Sequence, residues 1–494
     1  MSLPPFNLFF INFFTFSIFF TFLFKKRDNY LRNFFFFSYG WAFGFGYFLT
    51  NLYWITISLT FDQSFSFLIP IALFLIPAFL GLFYGLVTFI FGLIKIKNVI
   101  SAFFLFALLF GLTEFIRGHI LTGFPWNLII FSFSEKLDFI IFTSVIGTYS
   151  LNLFVISLFS VPALLILRKS QKEILVSFIF VLIPILFFVY GSSYKENFLN
   201  ADIKKNPYVI RAIGSNISLD RFYDNTSAET VINELVKLSS PEKDKKTFFL
   251  WPEGIIPNTY LDELNLYKDL FTKNFNRNHI IGLGIKNKSE GEINDKIFNS
   301  LAVFDNNLNL ISNYNKINLV PFGEFIPFEN IFQKLDVRII TNNMSSFSKG
   351  KSREIIEIRN NSDEFSFLPL ICFEIIFSGN LTKNFDFDFI LNISEDGWFG
   401  KSIGPRQHFT HSIFRAIENG KYIVRSANNG MTAIINPLGE IEKKIKYDEV
   451  GFIDFIERRD IERTIFSKYG NKIFIILILL YIFLFFSFNR INNE

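Results

Sequence analysis

Long apolar runs fill the first 191 residues, a segment of mixed character follows, and one more apolar run closes the chain. The runs lie near residues 6–24, 34–58, 65–94, 99–116, 139–167, 174–191 and 473–488. A helix of about 20 residues crosses the roughly 30 Å of hydrocarbon in a bilayer. The pattern therefore predicts a transmembrane helical bundle over 1–194, a large domain outside the membrane over 195–470, and a C-terminal transmembrane helix over 471–494.

Basic residues on alternate loops predict the orientation of this bundle. They follow the first, third, fifth and last runs and comprise Lys25, Lys26, Arg27, Arg32, Lys95, Lys97, Arg168, Lys169, Lys172 and Arg490. Cytoplasmic loops carry an excess of lysine and arginine, so residues 195–470 are expected on the outer side. In a bacterium with two membranes that side is the periplasm. The odd number of runs puts the N-terminus outside, and a further helix is expected to be missing from the start.

From residue 207 onward, short apolar runs alternate with amphipathic ones. "YVIRAIGSN", "KTFFLWPEG" and "FSFLPLICFE" predict strands, whereas "SAETVINELVKLS" and "RQHFTHSIFRAIENG" predict helices. This alternation favours an α/β domain whose sheets are covered by helices. Sites in such folds gather at the carboxyl ends of strands, where Glu253, Lys316 and Cys372 are expected.

The amino-acid composition indicates little about the class of function. The single cysteine cannot form an internal disulfide, so cysteine usage does not indicate the redox compartment. A formal charge of +4 without a basic block gives no indication of nucleic-acid binding. The 72 phenylalanines occur in both parts of the chain, so they do not mark a site.

Three chemical groups at predicted strand ends could form a covalent acyl-transfer site without histidine. A nearby lysine and a strand-to-helix turn are expected to lower the pKa of the Cys372 thiol. Glu253 can accept the thiol proton, and Lys316 with a backbone N–H such as that of Phe373 can stabilise an oxyanion. Spacing alone leaves open that Cys372 is an apolar filler at the end of a buried strand, and that its partners are ordinary groups.

The loop "EFIRGHILTGFPWN" (114–127) is expected at the outer face of the membrane. Glu114 and Arg117 stand three residues apart at a helix end and can form an ion pair. Two interpretations stay open for Arg117 and Trp126. They could anchor the loop at the interface, with Trp126 in an aromatic belt, or contact a lipid head-group phosphate.

Two rival functions have weaker support in the sequence. His408 and His411 share a helix face and could bind a metal, but no clear third ligand accompanies them. The favoured interpretation is a helix whose Phe409, Ile413 and Ile417 pack inward. A transporter with an outer binding domain would need ionisable residues inside several spans, and few occur.

Five separated segments carry a family resemblance. They are "WPEGIIP" (251–257), "YNKINLVPFGEFIPF" (314–328), "ICFEIIF" (371–377), "SEDGWFGKSIGPRQHF" (394–409) and "RSANNGMTAIINPLGE" (425–440). In these segments the chain resembles the nitrilase superfamily, and more narrowly its membrane branch, the bacterial apolipoprotein N-acyltransferases. The resemblance extends over nearly the whole chain, including the helical bundle, "RGHILTGFPWN" and the closing helix.

The resemblance implies a nitrilase-like αββα sandwich, facing outward, on an α-helical transmembrane bundle. It implies transfer of an acyl chain from a phospholipid, through a cysteine thioester, to the α-amine of a lipoprotein's N-terminal diacylglyceryl-cysteine. Glu253 would be the general base, Lys316 the oxyanion-stabilising lysine and Cys372 the nucleophile. Glu324 would support the site by positioning the lysine. Phe373, directly after the nucleophile, would be a further supporting residue. Glu374 and Trp398 would lie near the pocket and its mobile loops.

The resemblance further implies an inner-membrane enzyme that needs no cofactor and no metal. Its partners would be a phospholipid donor, a diacylglyceryl-lipoprotein acceptor and the membrane, and a monomer is expected because one chain supplies all three catalytic groups. Two features depart from the family: Phe373 stands where tyrosine is common, and seven spans are expected where eight are usual. The closest alternative is a membrane-anchored nitrilase-type amidohydrolase, which would use water as the acceptor.

Overall fold

The computed structural model describes residues 1–26, 33–224, 226–289, 296–327, 346–360, 363–379, 381–382, 384 and 386–490. Arg27, Arg32 and Phe328, named above, lie outside this part of the chain. The first 200 residues form a helical bundle, which the last helix completes. Its helices are α1 (Ile11–Lys26), α2 (Asn33–Leu52), α3 (Ile69–Leu93), α4 (Val99–Arg117), α5 (Leu137–Ile140), α6 (Thr143–Ile166), α7 (Gln171–Asn200) and α12 (Lys472–Arg490).

Within the described residues, five helical segments are long and apolar enough to cross a membrane. They are Gln63–Leu93, Val99–Arg117, Thr143–Ile166, Gln171–Asn200 and Lys472–Arg490. These segments match five of the seven expected spans, and the other two correspond to α1 and α2. Helix α1 has 16 residues, which at about 1.5 Å per residue fall short of the hydrocarbon thickness. Helix α2 includes asparagine, tyrosine and glycine and ends at Leu52, so crossing by α1 and α2 stays a prediction.

The remaining part of the chain forms two six-stranded sheets, of order β12-β1-β2-β3-β4-β5 and β11-β10-β9-β8-β7-β6. The strands of the first sheet are β1 (Ile203–Gly214), β2 (Thr247–Leu250), β3 (His279–Ser289), β4 (Lys296–Asp305), β5 (Leu310–Asn315) and β12 (Gly451–Arg459). Those of the second are β6 (Ile356–Asn360), β7 (Asp363–Ile371), β8 (Phe389–Glu395), β9 (Ile423–Asn428), β10 (Thr432–Ile435) and β11 (Ile441–Ile445). The central strands are parallel in both sheets, β1–β2–β3 in one and β7–β8–β9 in the other.

The two sheets face each other, and helices cover their outer faces. These helices are α8 (Ala228–Ser239), α9 (Lys268–Asn274) and α10 (Gly404–Asn419), and the short α11 (Ile465–Tyr469) packs against α6 and α10. Side chains alternate along β2, as the two-residue period of a strand requires. Phe248 packs against Phe367 of the opposite sheet, with ring centroids 5.7 Å apart, whereas Phe249 belongs to the outer core beneath α8. The expected αββα sandwich is thus confirmed.

Helix α10 lies between the second sheet and the bundle. Phe414 on α10 packs edge-on against Phe131 of the bundle, with ring centroids 4.9 Å apart, and Ile417 shares a core with Ile423 of β9. Helix α6 of the bundle is broken nearby at Gly147, whose φ of 78° and close contact with the Phe466 ring require glycine. Helix α10 therefore connects the membrane bundle to the second sheet, whose strand β7 is followed directly by Cys372.

The expected domain boundaries can be placed on these elements. Helix α7 continues to Asn200, so the boundary at residue 194 falls inside it. The boundary at 470 falls between α11 and α12. The division into 1–194, 195–470 and 471–494 stays a prediction.

Candidate active site

Cys372 is the first residue after β7, at a sharp turn in the backbone. Its φ is 48°, in the left-handed region, and it opens a 3₁₀ segment, Cys372–Ile376. A non-glycine residue in this region is uncommon, and such residues cluster at functional sites. Cys372 is only 8% exposed.

A buried lysine lies between two glutamates at the corresponding end of the first sheet. Lys316 directly follows β5, and its Nζ is 3.1 Å from Glu253 Oε1 and 2.9 Å from Glu324 Oε1. Asn299 Nδ2 donates to the same two oxygens, at 2.8 Å each. The second oxygen of Glu253 accepts from the backbone N–H of Glu395 at 3.0 Å. Both oxygens of Glu253 are therefore held in fixed directions.

The pKa shifts of Lys316 and Cys372 indicate that these two residues and Glu253 lie within electrostatic reach of one another. Burial disfavours the charge on Lys316, but Glu253, Glu324 and Cys372 outweigh burial and raise its pKa well above the ordinary value. Burial, followed by the charge of Glu253, raises the pKa of the Cys372 thiol, and Lys316 only partly opposes this rise. The expected lowering of the thiol pKa was therefore wrong, because removal from water dominates at this position. A neutral resting thiol needs a base, and Glu253 is the carboxylate that interacts most strongly with it.

Glu374 links the nucleophile to the lysine through the backbone. One oxygen accepts from the N–H of Ile371 at 2.9 Å, just before the nucleophile. The other accepts from the N–H of Ile317 at 2.9 Å, just after Lys316. Burial opposes its charge, but Arg353, whose Nη2 is 2.7 Å away, and the hydrogen bonds from Tyr314 and the two backbone N–H groups together outweigh burial and lower the pKa of Glu374. The carboxylate is therefore charged and ties the backbone next to Cys372 to the backbone next to Lys316.

An aromatic layer from the bundle covers the nucleophile segment. The rings of Phe124 and Trp126 are stacked with Phe373, with centroids 6.4 and 6.5 Å away. Trp126 is buried, and its Nε1–H donates to Gln407 Oε1 at 2.9 Å. Trp54 donates to the same oxygen at 3.1 Å. The candidate site thus combines a cysteine, a lysine and a glutamate with apolar rings of the bundle that stack on Phe373, which suits covalent transfer of an apolar acyl group.

Comparisons with known proteins identify the family. Residues 1–161 match the N-terminal domain of apolipoprotein N-acyltransferases, and residues 250–454 match the carbon-nitrogen hydrolase domain. The apolipoprotein N-acyltransferase of Rickettsia prowazekii is 32% identical over 92% of this chain and 90% of its own length. That of Brucella melitensis is 30% identical over 84% of this chain and 78% of its own. The chain belongs to the apolipoprotein N-acyltransferase family.

Solved structures of nitrilase-superfamily enzymes also align with this family member. A variant of the amidase from Nesterenkonia sp. AN1 covers 53% of this chain and 92% of its own, with 11% identity and a TM-score of 0.36. Nit3 of Saccharomyces cerevisiae covers 51% of this chain and 90% of its own, with 17% identity and a TM-score of 0.34.

Arg117 and Trp398 were also expected to belong to the candidate site. The guanidinium of Arg117 is only 2% exposed; it pairs with Glu114, as the spacing indicated, and donates to the carbonyl oxygen of Phe124. It thus supports the loop that carries Trp126, and its contact with a lipid head group stays a prediction. Trp398 is half-buried in the turn after β8, between the rings of Phe61 and Phe222.

Several polar residues of the site were not anticipated from the sequence. Asn299 is one, and its only signal is a polar residue within the otherwise apolar strand "KIFNSLAVF". A second group lies behind Cys372, where Asp396 accepts from Ser394 Oγ at 2.7 Å and from Arg425 Nη2. His408 Nδ1 is 2.9 Å from Asp396 Oδ1.

A metal site at His408 and His411 was one alternative interpretation of helix α10. In the part of the chain that the structure describes, no group of three or more His, Cys, Asp or Glu side chains could hold a metal ion. The other interpretation of this helix is confirmed, because Phe409, Ile413 and Ile417 are all buried.

Proposed function

We propose that this protein transfers an acyl chain from a phospholipid to the α-amino group of the N-terminal diacylglyceryl-cysteine of lipoproteins. The observation that carries the proposal is the position of Lys316 between Glu253 and Glu324, electrostatically coupled to Cys372. The aromatic side chains Phe124 and Trp126 of the membrane bundle, which stack on Phe373, favour a substrate with apolar acyl chains.

In the first half-reaction Glu253 removes the proton from Cys372 Sγ, and the sulfur forms a bond to the ester carbonyl carbon of the phospholipid. The Lys316 ammonium and the Phe373 N–H stabilise the oxyanion of the tetrahedral intermediate. The carbon–oxygen ester bond then breaks, and the leaving oxygen takes the proton from Glu253. A lysophospholipid departs and a thioester remains on Cys372.

In the second half-reaction the free amine of the lipoprotein attacks the thioester carbonyl. A carbon–nitrogen bond forms, Glu253 accepts a proton from the attacking nitrogen, and the carbon–sulfur bond breaks. The proton returns to the sulfur, which restores the resting thiol. Glu324 acts here as the group that keeps the Lys316 ammonium in place, and Glu374 keeps Lys316 and Cys372 at a fixed separation.

Supporting roles follow for the remaining residues near the site. Phe373 and Trp126 would guide the acyl chain toward the sulfur. Trp398, whose ring contacts Phe61 of the bundle, would contact the phospholipid as it approaches the site. Arg117, which supports the loop that carries Trp126, would contact the head-group phosphate of the phospholipid. No cofactor takes part in either half-reaction, since every proton and bond is accounted for by the side chains and substrates.

The proposed location is the bacterial inner membrane, with the α/β domain in the periplasm. Helix α7 begins beside Lys169 and Lys172 and ends at the α/β domain, and α12 leaves that domain and ends at Arg490. Both helices thus have their basic end opposite the catalytic domain, which supports a cytoplasmic position for that end. A monomer is the proposed assembly, because one chain contributes all three catalytic groups.

The function can be tested with purified full-length protein in detergent, a diacyl phospholipid and a diacylglyceryl lipopeptide. We expect the lipopeptide mass to increase by one acyl group. An otherwise identical lipopeptide with an acetylated N-terminus should gain nothing, since it offers no amine. Release of free fatty acid without modification of the lipopeptide would instead support the amidohydrolase-type alternative, which the acyltransferase relatives do not favour.

A further inference from the structure

Helix α10 holds the segment that carries the nucleophile at both of its ends. His408 Nε2 lies 3.2 Å from the carbonyl oxygen of Cys372, and Arg415 Nη1 donates to the carbonyl oxygen of Ile376 at 3.1 Å. Cys372 and Ile376 are the first and last residues of the 3₁₀ segment. His408 and Arg415 are about two helical turns apart, so they lie on the same face of α10.

The imidazole of His408 has a defined orientation. A carbonyl oxygen can only accept a hydrogen bond, so Nε2 carries a proton in any state that makes this contact. The opposite nitrogen, Nδ1, lies 2.9 Å from Asp396 Oδ1 and 3.2 Å from Arg425 Nη2. The ring is completely buried, so water does not compete for the bond to Cys372.

The same two side chains contact the membrane bundle. The Trp126 ring stacks on the His408 imidazole, with centroids 5.3 Å apart and planes 17° from parallel. Arg415 Nη2 donates to Thr148 Oγ1 at 2.7 Å, one residue after the break in α6. Glu418, the ion-pair partner of Arg415, accepts from the N–H of Thr148 at 2.7 Å.

We propose that His408 and Arg415 are positioning residues for Cys372, and that they fix the nucleophile relative to the membrane bundle. The inference rests on the proposed function, in which the bundle delivers the acyl donor. Cys372 has a left-handed backbone conformation that the surrounding contacts must maintain. Without the bond from His408, the Cys372 carbonyl is free to rotate, and the sulfur moves away from Glu253 and Lys316.

The first test is the rate at which Cys372 becomes acylated, followed by intact mass after full-length protein is mixed with dioleoylphosphatidylglycerol in detergent. His408→Leu is expected to slow acylation by about ten- to a hundredfold, the scale of a misplacement of about 1 Å. His408→Gln places an amide N–H near the position of Nε2 and should restore most of the rate. His408→Asn is too short to reach the carbonyl and should be slow. Equal rates for the Gln and Asn variants would overturn the proposal, even if the Leu variant does not fold.

A matched control comes from the same helix. His411 is also buried and packs against Trp126, but within the described residues it has no hydrogen bond to residues 372–376. His411→Leu should therefore leave the acylation rate within about threefold of the wild type. Arg415→Lys keeps the charge beside Glu418 but cannot reach both of its other acceptors, so it should slow acylation by about tenfold.

The link to the bundle is tested by combining Trp126→Leu with His408→Leu and measuring alkylation of Cys372 by N-ethylmaleimide, a reagent without an acyl chain for Trp126 to guide. If Trp126 acts on the nucleophile through His408, the double variant changes the alkylation rate no more than His408→Leu alone. A change equal to the product of the two single effects would overturn this link.

A readout that is independent of acyl transfer separates this inference from the proposed function. The pH midpoint of Cys372 alkylation by N-ethylmaleimide reports the surroundings of the thiol. It should be shifted in His408→Leu and His408→Asn and kept in His408→Gln. If the wild type forms no acyl-enzyme, the proposed function fails, while this comparison still decides the positioning role; identical midpoints in all four proteins would refute that role.

Discussion

Replacement of Lys316 by methionine tests the buried ion cluster at the centre of the site. The ammonium is 3.1 Å from Glu253 and 2.9 Å from Glu324, and the side chain is 1% exposed. Methionine has a similar length but leaves two buried carboxylates without a cation. Removing one partner of a buried ion pair costs about 3–5 kcal/mol. In a domain of this size that loss lowers the midpoint of thermal unfolding by on the order of 10 °C.

The assay compares thermal unfolding in detergent and acyl transfer for the wild type, Lys316→Met and Lys316→Met/Glu324→Gln. The single variant should be inactive and less stable. The double variant should regain part of the lost stability, because one uncompensated charge is gone, yet stay inactive, because nothing stabilises the oxyanion. An unchanged midpoint for Lys316→Met, or a double variant less stable than the single one, would refute the reasoning.

The pH dependence of this difference follows from the raised pKa of Lys316. Burial opposes its charge but the neighbouring carboxylates outweigh it, so the folded-state pKa lies above the unfolded value of about 10.4. A group of this kind contributes its full stabilisation below the unfolded pKa and loses it as the pH rises through the folded one. The gap between wild type and Lys316→Met should therefore persist up to about pH 10 and shrink only above it.

Three further predictions concern neighbouring groups. Glu374→Gln should cost about 3 kcal/mol, because the buried Arg353 loses its counter-charge, and a wild-type unfolding midpoint would contradict this. Burial and Glu253 raise the pKa of the Cys372 thiol, so its alkylation by a small neutral reagent should be slow at pH 7. The alkylation rate should reach half its maximum at a pH above the free-cysteine pKa of about 8.5. A lower midpoint would show that Lys316 dominates. Trp398→Ala should raise KM for the phospholipid several-fold with kcat nearly unchanged, which steady-state kinetics can separate from a catalytic role.

The fold, and the positions of three candidate groups at strand ends, were predictable because they depend on local pattern. Strand–helix alternation indicates the α/β class, and parallel central strands bring their carboxyl ends to one edge of each sheet. This places Glu253 after β2 and Cys372 after β7. The positions of these residues at strand ends were visible in the sequence before any contact was known.

The features that were missed depend on contacts between distant parts of the chain. Asn299 joins two glutamates from separate loops, and the bond between His408 and Cys372 spans 36 positions. The direction of the thiol pKa shift depends on how completely Cys372 is removed from water, which a strand-end position does not indicate. An interfacial belt or a lipid contact stays the prediction for Trp126, and the stacking of its ring with Phe373, which is distant in the sequence, was not visible in the local pattern.

The covalent step can be measured most directly by intact mass spectrometry of purified protein incubated with phospholipid, beside Cys372→Ala. We expect the wild type alone to gain the mass of one acyl chain, and a diacylglyceryl lipopeptide with a free amine to remove it. An adduct that persists in Cys372→Ala, or a folded wild type that never gains one, would contradict a thioester at Cys372.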